Sequence, residues 1–176
     1  MDILDRLLQH DHWTTRHLLE QCRALSEADW DKRFDVGHGS LRSTILHMII
    51  NVEVWTDLML NQTMRGEVRY EGALVEQLIA RWEDAYNEFS DLAYQLAEEE
   101  RLDSLWLDTL DNPPRAKSYG GTISHVITHN MQHRAEMIHM MTRLGIEDVI
   151  EGDLLSWERS AREAMQQPQL SLLETF

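Results

Sequence analysis

The stretch Thr122–Gly145, TISHVITHNMQHRAEMIHMMTRLG, decides the fold. It opens on a residue that can cap a helix and closes on a glycine suited to the C′ position, so it reads as one long helix from Thr122 to Leu144. Along it His125, His129 and His133 recur at four-residue steps. Residues so spaced share a helix face, with β-carbons about 5–6 Å apart. Two such imidazoles can reach one tetrahedral ion at Zn–N distances of about 2.0–2.1 Å. All three cannot easily do so, because the helix rises ~12 Å from His125 to His133 at about 1.5 Å per residue. The pair is therefore His125 with His129, or His129 with His133.

Working outward, three more segments carry apolar residues at helical spacing. The first runs from about Asp2 to Leu25, with Ile3, Leu4, Leu7, Leu8, Leu18, Leu19, Cys22 and Leu25 in a stripe that Asp11, Thr14 and Thr15 interrupt. Ser26 can cap a brief turn before Trp30, and Phe34–Gly39 reads as loop. The second helix follows Ser40 as N-cap and ends near Gln62, with Leu41, Ile45, Met48, Ile49, Val52, Trp55, Leu58 and Met59 facing inward. The third spans about Gly72 to Glu100, burying Leu74, Leu78, Trp82, Ala85, Phe89, Leu92 and Leu96. Asp108–Gly121, with Asn112-Pro113-Pro114 and Gly120-Gly121, reads as a long connection. A shorter fifth helix is expected from Asp153 to Met165. These elements predict an all-α fold: a four-helix bundle with an additional short C-terminal helix. One domain covers residues 1–166, and 167–176 forms a tail whose Leu170, Leu172, Leu173 and Phe176 could dock on a partner.

Bundles of this kind place metal sites in the core, from facing helices. His47 sits inside the apolar pattern of the second helix, between Leu46 and Met48, and is the leading third ligand. The alternative is a set of hydrogen-bonded core histidines. The helical pair lacks the intervening Glu of the zinc-protease motif, so that mechanism is not available in its usual form. His10, Trp13 and His17 share a face of the first helix and could line a pocket mouth, although a bundle edge or dimer surface is the favoured reading. The six tryptophans read as core or interface anchors.

Composition narrows the function classes. Apolar residues make up 43%, charged residues 27%, and formal net charge is −15, with three Pro. So acidic a chain repels a phosphate backbone, and no basic stripe offsets this, so nucleic acid is not an expected partner. No apolar run approaches the ~20 residues of a membrane span. Met1–Arg6 lacks a signal-peptide pattern, and Cys22 is the single cysteine, so a cytoplasmic location is expected.

The assembled residues resemble the DinB/YfiT-like family of metal-dependent proteins. The resemblance rests on Leu18-Leu19 followed by Leu25-Ser26 and an acidic turn, and on Gly37-His38-Gly39-Ser40-Leu41-Arg42 leading to Ile45-Leu46-His47-Met48, with Trp55 beyond. The most specific part is Thr122-Ile123-Ser124-His125 through His129-Asn130-Met131-Gln132-His133-Arg134 to Arg143-Leu144-Gly145. It implies a four-helix bundle, commonly homodimeric, with one divalent ion, zinc or nickel, on His47, His129 and His133. His125 then stands one turn away, in a supporting or core position. The family often carries His-His-Arg-Gly-Gln where this chain has Gln132-His133-Arg134-Ala135-Glu136. Glu136 could orient a ligand imidazole, but a solvated Glu136 paired with Arg134 or another arginine is the favoured reading. Asn51, one turn after His47, could touch a ligand or substrate.

Three neutral imidazoles and no protein anion leave the ion its full charge and a fourth position for water, thiol or substrate. Some relatives are thiol-dependent transferases or isomerases. One isomerase branch replaces a helical His with Glu, whereas this chain keeps His129. The expected function is a metal-dependent hydrolase or a low-molecular-weight-thiol S-transferase, acting on a small molecule. The alternative is a non-enzymatic, metal-binding stress-response protein. No residue stands out as catalytic base.

Overall fold

The computed structural model describes residues 1–66 and 74–173. Among them the chain is mostly helical, with one two-stranded sheet. Helix α1 (Ile3–Gln21) begins at Asp2, whose carboxylate accepts from Asp5 N while the Asp5 carboxylate accepts from Asp2 N. A 3-10 turn (Cys22–Ala24) leads to α2 (Glu27–Trp30), capped reciprocally by Ser26 and Asp29. Helix α3 (Leu41–Met59) starts at Ser40, whose hydroxyl accepts from Ser43 N at 3.2 Å. These caps satisfy donors that the first helical turn leaves free.

Helix α4 is described over Leu74–Glu98. Its expected start at Gly72 and the Leu74 side chain lie outside the described residues. Helix α3 lies against both α4 and α5 (Tyr119–Arg143), and α1 lies against both of these and against α6 (Leu154–Leu173). Leu18 and Leu19, Ile45 and Ile49, Leu78 and Trp82, and Val126 and Met140 meet in the space between, fully shielded from solvent. Side chains of this kind contribute roughly 1.5–3 kcal/mol each on burial.

Three expectations need correcting. The stretch after α4 is not a plain connection. Strand β1 (Leu105–Asp108) pairs antiparallel with β2 (Arg115–Ser118), Leu105 opposite Ser118 and Asp108 opposite Arg115. The buried Asp108 carboxylate fastens this hairpin by accepting from Leu110 N and Lys117 Nζ. Consequently α5 is capped by Ser118, which accepts from Gly121 N, and not by Thr122. The Thr122 hydroxyl instead accepts from the Trp106 indole at 3.1 Å and donates to Ser118 O. Gly120 joins the helix because its N–H donates to Leu102 O at 2.7 Å, so close that a β-carbon would sit 3.1 Å from that carbonyl oxygen.

Helix α6 is also longer than Asp153–Met165, reaching Leu173. The expected docking of Leu170, Leu172, Leu173 and Phe176 concerns side chains outside the described set. Finally, Ile3 of the expected α1 stripe faces solvent, while Asp11, Thr14 and Thr15, which interrupt that stripe, are fully buried. Asp11 pairs with buried Arg134 and accepts from Asn130 Nδ2 at 2.8 Å, both on α5. Among the described residues no helix is long and apolar enough to cross a membrane.

Candidate metal centre

Helices α3 and α5 bring the predicted imidazoles together. His129 Nε2 lies 3.2 Å from His47 Nε2 and 3.2 Å from His133 Nε2. A single imidazole nitrogen offers one N–H or one lone pair. It can therefore form a well-directed hydrogen bond to one of these neighbours, but not to both. One ion between the three nitrogens satisfies all of them. The spacing suits this, since tetrahedral ligands about 2.0–2.1 Å from zinc stand roughly 3.3–3.4 Å apart. The donor set therefore fits a divalent ion.

A fourth imidazole, His38, was not anticipated as a ligand. Its ring stacks on His47 with centroids 3.9 Å apart, and ligand nitrogens of His38, His47 and His133 lie within 4.8 Å of one another. It stands on the loop before α3, between Gly37 (φ +50°) and Gly39 (φ +81°), backbone angles that glycine adopts without penalty. No helical period links a loop residue to His47. The available signal was a histidine between two glycines, two residues before the Ser40 cap of α3 and nine before His47.

The neighbours set the chemistry. Glu136 Oε2 lies 2.7 Å from His133 Nδ1, so the carboxylate can hold the ring proton on Nδ1 and leave the Nε2 lone pair toward the cluster. Glu136 is thus not paired with Arg134, which belongs to Asp11. Gly37 approaches so closely that a β-carbon there would collide with the Glu136 carboxylate. Asn51 Nδ2 is 3.3 Å from His129 Nδ1, while Asn51 Oδ1 accepts from the Trp55 indole at 2.9 Å. In that orientation Nδ1 accepts and the His129 proton sits on Nε2. Metal on Nε2 requires the proton on Nδ1, with the Asn51 oxygen turned to receive it.

His125 lies one turn from the cluster, its ring 5.5 Å from those of His129 and Trp55. His17 is not brought there. Its ring stacks on Trp13 at 4.6 Å, because spacing by four turns both to one face of α1, and Trp13 lines a cleft with Ile150 and Trp157. His10 on the same helix is buried, with Nε2 2.8 Å from Gly152 O.

Burial, reinforced by the surrounding imidazoles, lowers the pKa of His47 and His129 to about 4. Both are neutral at pH 7, with lone pairs free of proton competition. Among the described residues, the Glu136 carboxylate contacts the assembled donors through His133.

The DinB family model matches residues 1–168. This chain belongs to the DinB family. The match covers every helix that contributes to the cluster, and DinB membership together with three histidines positioned for an ion fits a metal-binding protein. Comparison with curated proteins gives no match for this DinB chain.

Proposed function

We propose that this DinB protein binds one divalent ion, zinc or nickel, through His47, His129 and His133. On this reading α1, α3, α4 and α5 form a four-helix bundle around the site, and the protein works as a homodimer. The observation that carries it is the position of His129 Nε2, 3.2 Å from both of its partners. Neutral imidazoles bind zinc, nickel and copper alike, so availability decides which ion is held.

The function that follows is a metalloenzyme, either a hydrolase or a thiol S-transferase. A divalent ion held by neutral donors supplies a Lewis acid that promotes deprotonation of water or thiol. The chain's own groups orient it: Glu136 holds the Nδ1 proton of His133, Asn51 faces His129, and the half-buried rings of α3 and α5 limit water access. One observation favours the alternative of a binding or stress-response role. Glu136, the carboxylate in contact with the cluster, is engaged by His133 and is not free to act as base.

Elemental analysis of untagged protein beside His129→Ala tests the site. Stoichiometric metal in the wild type and its loss in the variant are expected; equal metal in both would overturn the reading. Metal-dependent turnover of electrophiles with added thiol, or of hydrolysable esters without it, then separates the two enzyme classes. Absence of turnover on either favours the binding role. Sedimentation at micromolar concentration tests the dimer.

A further inference from the structure

Beside the histidine cluster lies a cleft of about 420 Å³ walled by Trp55, Lys117, Ser118, Gly121, Thr122 and His125. That size is within the range of small-molecule sites. It joins the cluster along two routes. On α5, His125 is one turn before His129, a rise of about 6 Å. On α3, Trp55 bonds to Asn51, whose amide faces His129. None of the clustered histidines lines the cleft itself, so a ligand seated there reaches the cluster by extending past His125, whose ring is 5.5 Å from that of His129.

The wall chemistry specifies the occupant. The lining is mostly apolar and includes the Trp55 indole, with Gly121 contributing no side chain. Lys117 Nζ stands 4.8 Å from the Trp55 ring centre, yet it is paired with Asp108 and lies 3.6 Å from Asp111. One cation beside two carboxylates offers no net attraction to an anion in the cleft itself. On the metal-binding reading, an ion at the imidazole cluster is the place where a negative group would be held.

We propose that this cleft is the substrate site of the metal centre and takes a small aromatic molecule, with an uncharged flat body against Trp55 and an anionic, metal-binding head group at the cluster. The assignment rests on the metal-binding reading above. It makes Trp55, Gly121 and His125 specificity residues, and it gives the β1–β2 hairpin, which carries Lys117, the role of a pocket wall.

The test uses two probes with the same head group, benzohydroxamate and acetohydroxamate, titrated calorimetrically into zinc-loaded full-length protein. Benzohydroxamate should bind at least tenfold tighter. Gly121→Leu, which fills the cleft two turns before His129 on α5, should remove that preference while zinc content and acetohydroxamate affinity stay unchanged. A β-carbon at 121 comes within 2.7 Å of the Ser118 hydroxyl, so the substitution displaces the α5 cap. If Gly121→Leu does not fold, the exposed His125→Trp narrows the same cleft and should act likewise. Zinc bound with equal affinity for both probes, or a preference that survives the filled cleft, overturns the substrate site and leaves the metal centre standing. Protein that takes up no zinc overturns both.

Discussion

Helix α5 carries two polar faces, one residue out of step. His129 and His133 turn toward α3, while Asn130 and Arg134 turn toward α1. The second face is closed. Arg134 and Asp11 are 3% and 0% exposed, the charges face each other, and Asn130 and Thr15 add hydrogen bonds. The first face is open. His47 and His129 are half-buried, and three nitrogens converge with too few protons and lone pairs to satisfy one another. Both are polar clusters within a helical core. The closed one pairs its opposite charges within the chain and ties α1 to α5, with Asn130 Oδ1 and Arg134 Nη2 left without a partner, whereas the open one holds converging nitrogens that cannot all satisfy one another.

The largest effect should come from breaking the closed face. Arg134→Ala strands the Asp11 carboxylate in the core, and loss of one partner of a buried pair costs about 3–5 kcal/mol. Urea unfolding measures this. The double variant Asp11→Leu/Arg134→Met should recover most of the loss, because the penalty lies in the unpaired charge. A loss below about 1 kcal/mol for the single variant would show that the pair is not what joins the helices.

The open face should respond to metal instead. Ligand that binds only the folded state adds about 2.7 kcal/mol at a hundredfold excess over Kd. Zinc should therefore raise the wild-type unfolding midpoint. His129→Ala should abolish that increment and shift the metal-free stability by about 1 kcal/mol or less. An increment of equal size in the variant would mean that zinc binds elsewhere.

Acid should also separate the two faces. In metal-free protein, His47 and His129 titrate near pH 4 because burial opposes their charge, whereas in the unfolded chain they titrate near the ordinary value of about 6.5. Between these values the unfolded chain binds more protons, so stability rises with pH across that window and falls as pH drops through it. His47→Gln should flatten the slope of urea midpoint against pH between 6.5 and 4. An unchanged slope would show that these rings titrate normally in the folded chain.

The helices are legible in the sequence because their signals are local. Ser26 and Ser40 act as the caps they resemble, and Leu78, Trp82 and Phe89 recur at a period that only helix uses to one side. That His129 and His133 share one face and meet is legible for the same reason. What escapes is non-local. Asp11 reads as a flaw in a stripe because its partner, Arg134, lies 123 residues away on α5. His38 reads as loop because its place beside His47 depends on a turn between two left-handed glycines. The β1–β2 hairpin is hidden in four-residue strands, its exposed Leu105 and Leu107 alternating with buried Trp106 and Asp108, too short to outweigh the nearby prolines. Glu136 could be placed on the right helix, but whether it meets His133 or Arg134 depends on which of them Asp11 takes.

The smallest effect tests that last point. On the proposed metal-binding reading, the Glu136 carboxylate, 2.7 Å from His133 Nδ1, orients a ligand ring without touching the ion position. Removal of such a partner weakens metal binding by about 10–100-fold. Glu136→Gln retains an oxygen acceptor but loses the charge, so it should fall near the tenfold end; Glu136→Ala should fall lower. Gly37 offers an independent route to the same contact, because a β-carbon there displaces the carboxylate. Gly37→Ala should therefore weaken zinc binding about as much as Glu136→Ala, and the double variant should be no weaker than the worse single one, as expected for residues acting through one contact. Competition with a chelating dye measures all four affinities. Additive losses would mean that Gly37 acts on the site by another path, such as the placement of His38, its neighbour in the chain.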